Sequence, residues 1–249
     1  MRHPTPVRVA ALVLCALAAC LPARAGGVER IVERFLARAD EPLSAYRGER
    51  RLEARNQRFG VEGWLEAEVS LSSNGAFAYT VLREGGSSYI RNKVLRKALQ
   101  GEQDLVAQGR TRQASLTPEN YAFGETPAES SDDVGRVSLR PLRKDILLVD
   151  GVMTLDPEGD LLSVEGQLSK SPSFWTTKVH VVRRYGRVAG VRVPISLESS
   201  ASVRIAGTSR MTIAYRYSEI NGVPVADGKD EVVDMLPLPA GDAVDNAGG

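Results

Sequence analysis

The chain of 249 residues has two cysteines and two histidines, and their positions remove much of the chemistry that side chains commonly supply. Cys15 and Cys20 both lie in an apolar N-terminal stretch, so the folded part keeps no thiol once that stretch is lost. A disulfide cannot staple the fold, although an exported protein would be allowed one, and a cysteine nucleophile is excluded. His3 lies in the same stretch, which leaves His180 alone in Lys178-Val179-His180-Val181-Val182. Its even-spaced neighbours Lys178 and Val182 predict a strand-surface position. No G-x-S-x-G elbow is present, so a hydrolase would need a cleft that joins His180 to a serine and a carboxylate. Charge of one sign is lacking as well: 32 Lys and Arg against 31 Asp and Glu give a net charge of +1. No global field draws nucleic acid or acidic substrates. Beyond the leader no run is apolar enough to span a bilayer, so the mature chain is expected to have no transmembrane segment. Asp150, Asp156, Glu158 and Asp160 surround a hairpin and could in principle bind Ca²⁺. Pro157 and Gly159 favour a plain turn there, and neither a metal nor a cofactor is expected.

What is present at the N-terminus is an export pattern. Arg2, His3 and Arg8 precede the apolar run from Val9 to Ala19, and Ala23-Arg24-Ala25 follows, so residues 1–25 read as a signal peptide. The expected location is the periplasm or the exterior of a bacterium. Leu17-Ala18-Ala19-Cys20 also resembles the lipobox of bacterial lipoproteins, with Leu21 an unusual follower. Two outcomes stand: soluble release after Ala25, or lipidation at Cys20 and attachment to a membrane.

The rest reads as one domain over residues 26–222. Val28, Ile31, Val32, Phe35 and Leu36 form one stripe with charges opposite, a short amphipathic helix. From Ser44 the period changes to two: Tyr46, Leu52 and Ala54, then Trp64 alternating with Leu65, Ala67, Val69 and Leu71, then Phe77, Tyr79 and Val81 after Ser72-Ser73-Asn74-Gly75. This predicts three antiparallel strands. After Ser87-Ser88 the residues Ile90, Val94, Leu95, Ala98, Leu99, Leu105 and Val106 return to helical spacing, with Gly109 as the stop. Gly85-Gly86-Ser87-Ser88 is read as the cap of this helix rather than an anion site. A polar loop is expected from Gly124 to Gly135, then about six strands in a meander. Pro194 cannot donate to a ladder, so its strand should run past its neighbour or lie on an edge there. Basic runs such as Arg47-Gly48-Glu49-Arg50-Arg51 and Arg140 to Lys144 read as solvated strand faces and turns. Residues 223–249 read as a disordered tail. The expected fold is mainly β with α: a single curled antiparallel sheet of about nine strands, an unclosed barrel, with two main helices packed on it.

The N-terminal helix, the segment Tyr46 to Ala54, the internal helix, and the stretches Val149 to Pro157, Leu168 to Trp175 and Val191 to Ile195 together resemble the outer-membrane lipoprotein-sorting superfamily. That superfamily includes the LolA and LolB carriers and the RseB-type regulators, and the likeness is closest to its uncharacterised secreted members. It implies a non-enzymatic binding protein that holds a lipid or lipoprotein acyl chain in an apolar cavity. The alternative it implies is an RseB-like regulatory protein with a filled core that reads an envelope protein partner. Trp64, Phe77, Tyr79, Phe174, Trp175, Tyr215 and Tyr217 are the candidate residues for the cavity or its rim. Phe174 and Trp175 are adjacent in a strand setting, so one of the pair is expected to be exposed.

Overall fold

The computed structural model describes residues 27–126, 135–174 and 176–226. The leader with Cys20, the middle of the 124–135 loop, Trp175 and the tail beyond Ala226 lie outside the described residues. Helix α1 (Gly27–Ala37) is followed by strands β1 (Tyr46–Asn56), β2 (Val61–Leu71) and β3 (Phe77–Gly86). A second helical stretch begins with α2 (Ser88–Ile90), passes through a π turn at Arg91–Leu95 and continues as α3 (Arg96–Ala107). Strands β4 (Tyr121–Glu125), β5 (Gly135–Pro141), β6 (Val149–Leu155), β7 (Leu161–Leu168), β8 (Thr176–Val188), β9 (Val191–Val203), β10 (Gly207–Ile220) and β11 (Val223–Pro224) follow among the described residues.

All strands join one antiparallel sheet of eleven, in the order β3-β2-β1-β10-β9-β8-β7-β6-β5-β4, with β11 added beside β10. The ends of that order, β3 and β4, are not paired to each other, so the barrel is unclosed. The count exceeds the expected nine by β4 and β11. The segment Tyr121-Ala122-Phe123-Gly124-Glu125 is short and merges into a polar loop, and its strand conformation is fixed by pairing with Val137 to Pro141. At β11 the Asn221-Gly222 turn, with φ of 50° and 83°, returns the chain onto β10. The sheet therefore includes Val223 and Pro224, past the Asn221-Gly222 turn.

Bulges and glycines bend the sheet. Register shifts occur at Arg47/Gly48, Glu66/Ala67, Thr154/Leu155 and Arg184/Tyr185, and each bulge increases the local twist. Gly151 sits opposite Gly166, and a Cβ on either would strike the backbone of the other strand. Only glycine permits that approach.

Two helices cover two parts of the concave face. The second helix is capped by the Ser87 hydroxyl, which accepts from the Ile90 N–H at 3.5 Å, and lies on β1, β2 and β3. Leu95 and Leu99 pack there with Leu52, Leu65, Ala67, Val69 and Ile213 in the first core. Helix α1 lies on β4 and β5, and Phe35 joins Tyr121, Val137, Leu139, Met153 and Leu155 in the second core. Leu36, assigned to the buried stripe from its spacing, is 41% exposed, because α1 rests on a narrow strip at the sheet's end.

The β8–β9 hairpin separates the two cores. Its ladder to β7 stops at Arg184↔Ser163 and its ladder to β10 stops at Ser196↔Ala214. The tip from Tyr185 to Pro194 pairs only within itself, so Pro194 lacks a β10 neighbour, as its missing N–H requires. Both faces of the tip are used. Val188, Val191 and Val193 belong to the first core, while Arg192 lies over the Phe35 ring at 5.1 Å in the second.

Candidate functional site

Between the helices the concave wall of β8, β9 and β10 is less covered. Val179, Val181, Leu197, Ala201 and Met211 are only partly buried on this wall, and the lateral rows Val179↔Ala201, Val181↔Ser199↔Met211 and Arg183↔Leu197↔Ile213 put them on one face. Along β8 this partly covered wall runs from the hairpin tip at Val188 to the rim at Thr176.

Its first polar feature is Arg50. Even spacing from Tyr46, Leu52 and Ala54 puts Arg50 on the buried side of β1, whose exposure alternates strictly along its length. The Arg50 side chain is 4% exposed. This corrects the reading of Arg47 to Arg51 as a solvated face: strand alternation sends Arg51 outward and Arg50 inward. The guanidinium lies 4.7 Å from the Tyr215 ring centroid, 5.4 Å from that of Phe77 and 5.9 Å from that of Tyr46. Its Nη2 donates to the Tyr46 hydroxyl at 2.6 Å and to Glu102 Oε1 at 2.9 Å, and its Nη1 donates to the other carboxylate oxygen of Glu102. Burial works against the charge on Arg50, but the Glu102 hydrogen bond and charge outweigh it and raise its pKa. Burial likewise raises the Tyr46 and Tyr217 phenols well above their ordinary value, more than the neighbouring Arg50 lowers them.

The second is Arg183. It is exposed to solvent yet surrounded by protein, with Tyr185 and Tyr215 beside it. The Tyr185 phenol does most to favour its charge, against the cost of burial, with smaller help from Tyr215 and Glu102.

The sequence-predicted aromatics divide. Phe77, Tyr215 and Tyr217 meet around Arg50 and Tyr46; Tyr217 stacks edge-on to Tyr46 at 5.7 Å and donates its hydroxyl to the Pro194 carbonyl at 2.9 Å. Tyr79 lies beside Phe77, with centroids 6.4 Å apart. Trp64 is elsewhere, on the convex face below Arg51 at 4.8 Å and tight against Gly85, because it alternates with the buried Leu65. Phe174 is 72% exposed, with the Arg204 guanidinium 4.4 Å from its ring. The strand register places the loops carrying Phe174, Phe59, Leu142, Ile205 and Tyr89, all exposed, at one rim. Ile205 occupies the β9–β10 turn with φ of 69°.

His180 stands on the convex face with Glu165 at 3.6 Å. Ser200 is its cross-strand neighbour, but among the described residues no hydrogen bond joins the two. The acids of the 156–160 hairpin serve structure: the Asp160 N–H donates to Asp156 Oδ1 at 2.6 Å, and Asp160 is paired with Arg187. Asp40 completes this knot with Arg38, Arg187 and Arg192. Burial alone would raise the Asp40 carboxyl, but the hydrogen bond from Arg187 and the charges of Arg192, Arg187 and Arg38 prevail and hold it below its usual range. A carboxyl depressed on folding contributes stability that is complete above its unfolded value, about pH 4, and is lost as pH falls through the lower folded value. Denaturant unfolding is therefore expected to show wild type well above Asp40→Asn at pH 7 and the two converging near pH 2. A gap that stays constant with pH would contradict this.

No family model matches the sequence, and no curated protein matches it. Among solved structures, the chain is similar to a LolA superfamily protein from Nitrosomonas europaea, with 11% identity and a TM-score of 0.41 over 80% of this chain and 94% of that one. It is also similar to a DUF1329 family protein from Desulfovibrio piger, with 12% identity and a TM-score of 0.28 over 84% and 96% of the two chains. The architecture described above rests on the strand register itself. Among the described residues no helix is long and apolar enough to cross a membrane.

Proposed function

We propose that this chain is an exported, non-enzymatic binding protein whose concave sheet face holds the acyl portion of a lipid or lipoprotein. The observation that carries this reading is the incompletely covered wall of β8 to β10, where Val179, Val181, Leu197, Ala201 and Met211 keep contact with solvent between two well-packed cores. Burying such a surface is worth about 25 cal/mol per Å² of apolar area, and a bound chain supplies that burial without rearranging either core. Protein purified from its own envelope is expected to release a bound lipid in native mass spectrometry, and added long-chain lipids are expected to raise its melting temperature. Absence of both effects would overturn the reading.

The exposed rim of Phe59, Tyr89, Leu142, Phe174 and Ile205 favours a second reading, a regulatory protein that docks an envelope partner. That reading predicts a protein complex that survives complete removal of lipid.

A further inference from the structure

The register sets eight residues side by side across β5, β6, β7, β8, β9, β10, β1 and β2: Val137, Met153, Val164, Arg183, Leu197, Ile213, Leu52 and Leu65. Seven are apolar, and six of those are buried. The next residue in the row, Glu84 on edge strand β3, is held by Arg91 and Arg96 at 2.6 Å each. Arg183, near the middle, has no carboxylate within ion-pair distance among the described residues. Glu102, whose charge reaches it, is already forked by Arg50. The concave face thus carries two guanidiniums, Arg50 buried and Arg183 open to solvent, near one carboxylate, with the Tyr185 and Tyr215 phenols beside Arg183.

A guanidinium is always charged and offers a planar fork of donors that matches a carboxylate or phosphate bidentately. Its lateral neighbours Val164 and Leu197 are apolar, and such a bond strengthens once a bound tail excludes water from them. From Arg183 the partly exposed Val181 and Val179 lead along β8 toward Thr176 at the open rim. That distance is roughly 23 Å at about 3.3 Å per residue, enough for a long acyl chain. We infer that Arg183 reads the acidic head, carboxylate or phosphate, of a long-chain amphiphile whose tail lies along β8 to β10. This rests on the acyl-binding reading above and names the class of ligand within it.

The test measures binding of palmitate, methyl palmitate and inorganic phosphate to the full chain by calorimetry. Wild type is expected to prefer palmitate over its ester by about tenfold, the scale of one charge-assisted bidentate contact, and to bind inorganic phosphate at least a hundredfold more weakly than palmitate. Arg183→Gln should erase the preference and leave ester affinity within twofold. Arg184→Gln, on the convex face with Glu198 at 2.6 Å, should keep it. Equal binding of acid and ester by wild type, or an unchanged preference in Arg183→Gln, overturns the role of Arg183 while acyl binding stands. Phosphate binding as tight as palmitate shows a free-anion site and also overturns the inference. Failure of both long-chain probes to bind overturns acyl binding itself.

Discussion

Glu102→Ala is expected to lower the unfolding free energy by about 3 kcal/mol, because it strips the one carboxylate that Arg50 has among the described residues from a guanidinium that is almost wholly buried. Arg50 is 4% exposed and Glu102 34%, so water can relieve part of the penalty on the glutamate side but little on the arginine side. The three rings around Arg50 offer their faces, each worth about 0.5–2 kcal/mol to a cation, yet the charge was brought inside with Glu102 as its counter-ion. Replacing both groups by apolar residues of similar size, Arg50→Met with Glu102→Leu, is expected to cost less than Glu102→Ala alone, since no uncompensated charge is left behind. Urea denaturation of the two variants checks this. A loss below about 1 kcal/mol for Glu102→Ala, the scale of a surface ion pair, would mean that Arg50 finds other compensation.

Truncations in the two cores are expected to be large and independent. Leu52→Ala and Met153→Ala each remove a fully buried side chain and should each cost about 3 kcal/mol in lost transfer energy and cavity formation. They occupy the same lateral row, but Leu52 belongs to the cluster under the second helix and Met153 to the cluster under α1. With no shared partners their effects should add to within about 0.5 kcal/mol. Denaturant unfolding of the single and double variants gives the coupling directly, and a coupling above about 1 kcal/mol would show one continuous core.

Much of the local structure is legible in the residue pattern. The period-two run from Tyr46, the helical spacing after Ser87 and the stop at Gly109 each follow from short-range geometry, and each corresponds to an observed element. The strand at Tyr121–Glu125 was not legible, since five residues beside a polar loop carry too little pattern and their partner strand decides them. The outward position of Trp64 was available from its odd offset to Leu65. The inward position of Arg50 was available too, from its even offset to Tyr46 and Leu52, but a basic run has solvent exposure as its commoner meaning, and alternation had to override it.

Which residues share a face follows from the order of residues alone, because side chains on a strand alternate at a period of two whatever lies beside it. That order also leaves residues 26–249 without a thiol, since both cysteines precede residue 26. Only the tertiary structure decided what each face meets. Lateral neighbours come from pairings such as Tyr46↔Ile220, nearly the whole domain apart, and bulges and facing glycines set how tightly the sheet curls. For that reason Arg50 acquired Glu102 and three aromatic rings, while Arg183, one more arginine in an alternating strand, lies between Val164 and Leu197 beside the Tyr185 phenol with no ion-paired acid among the described residues.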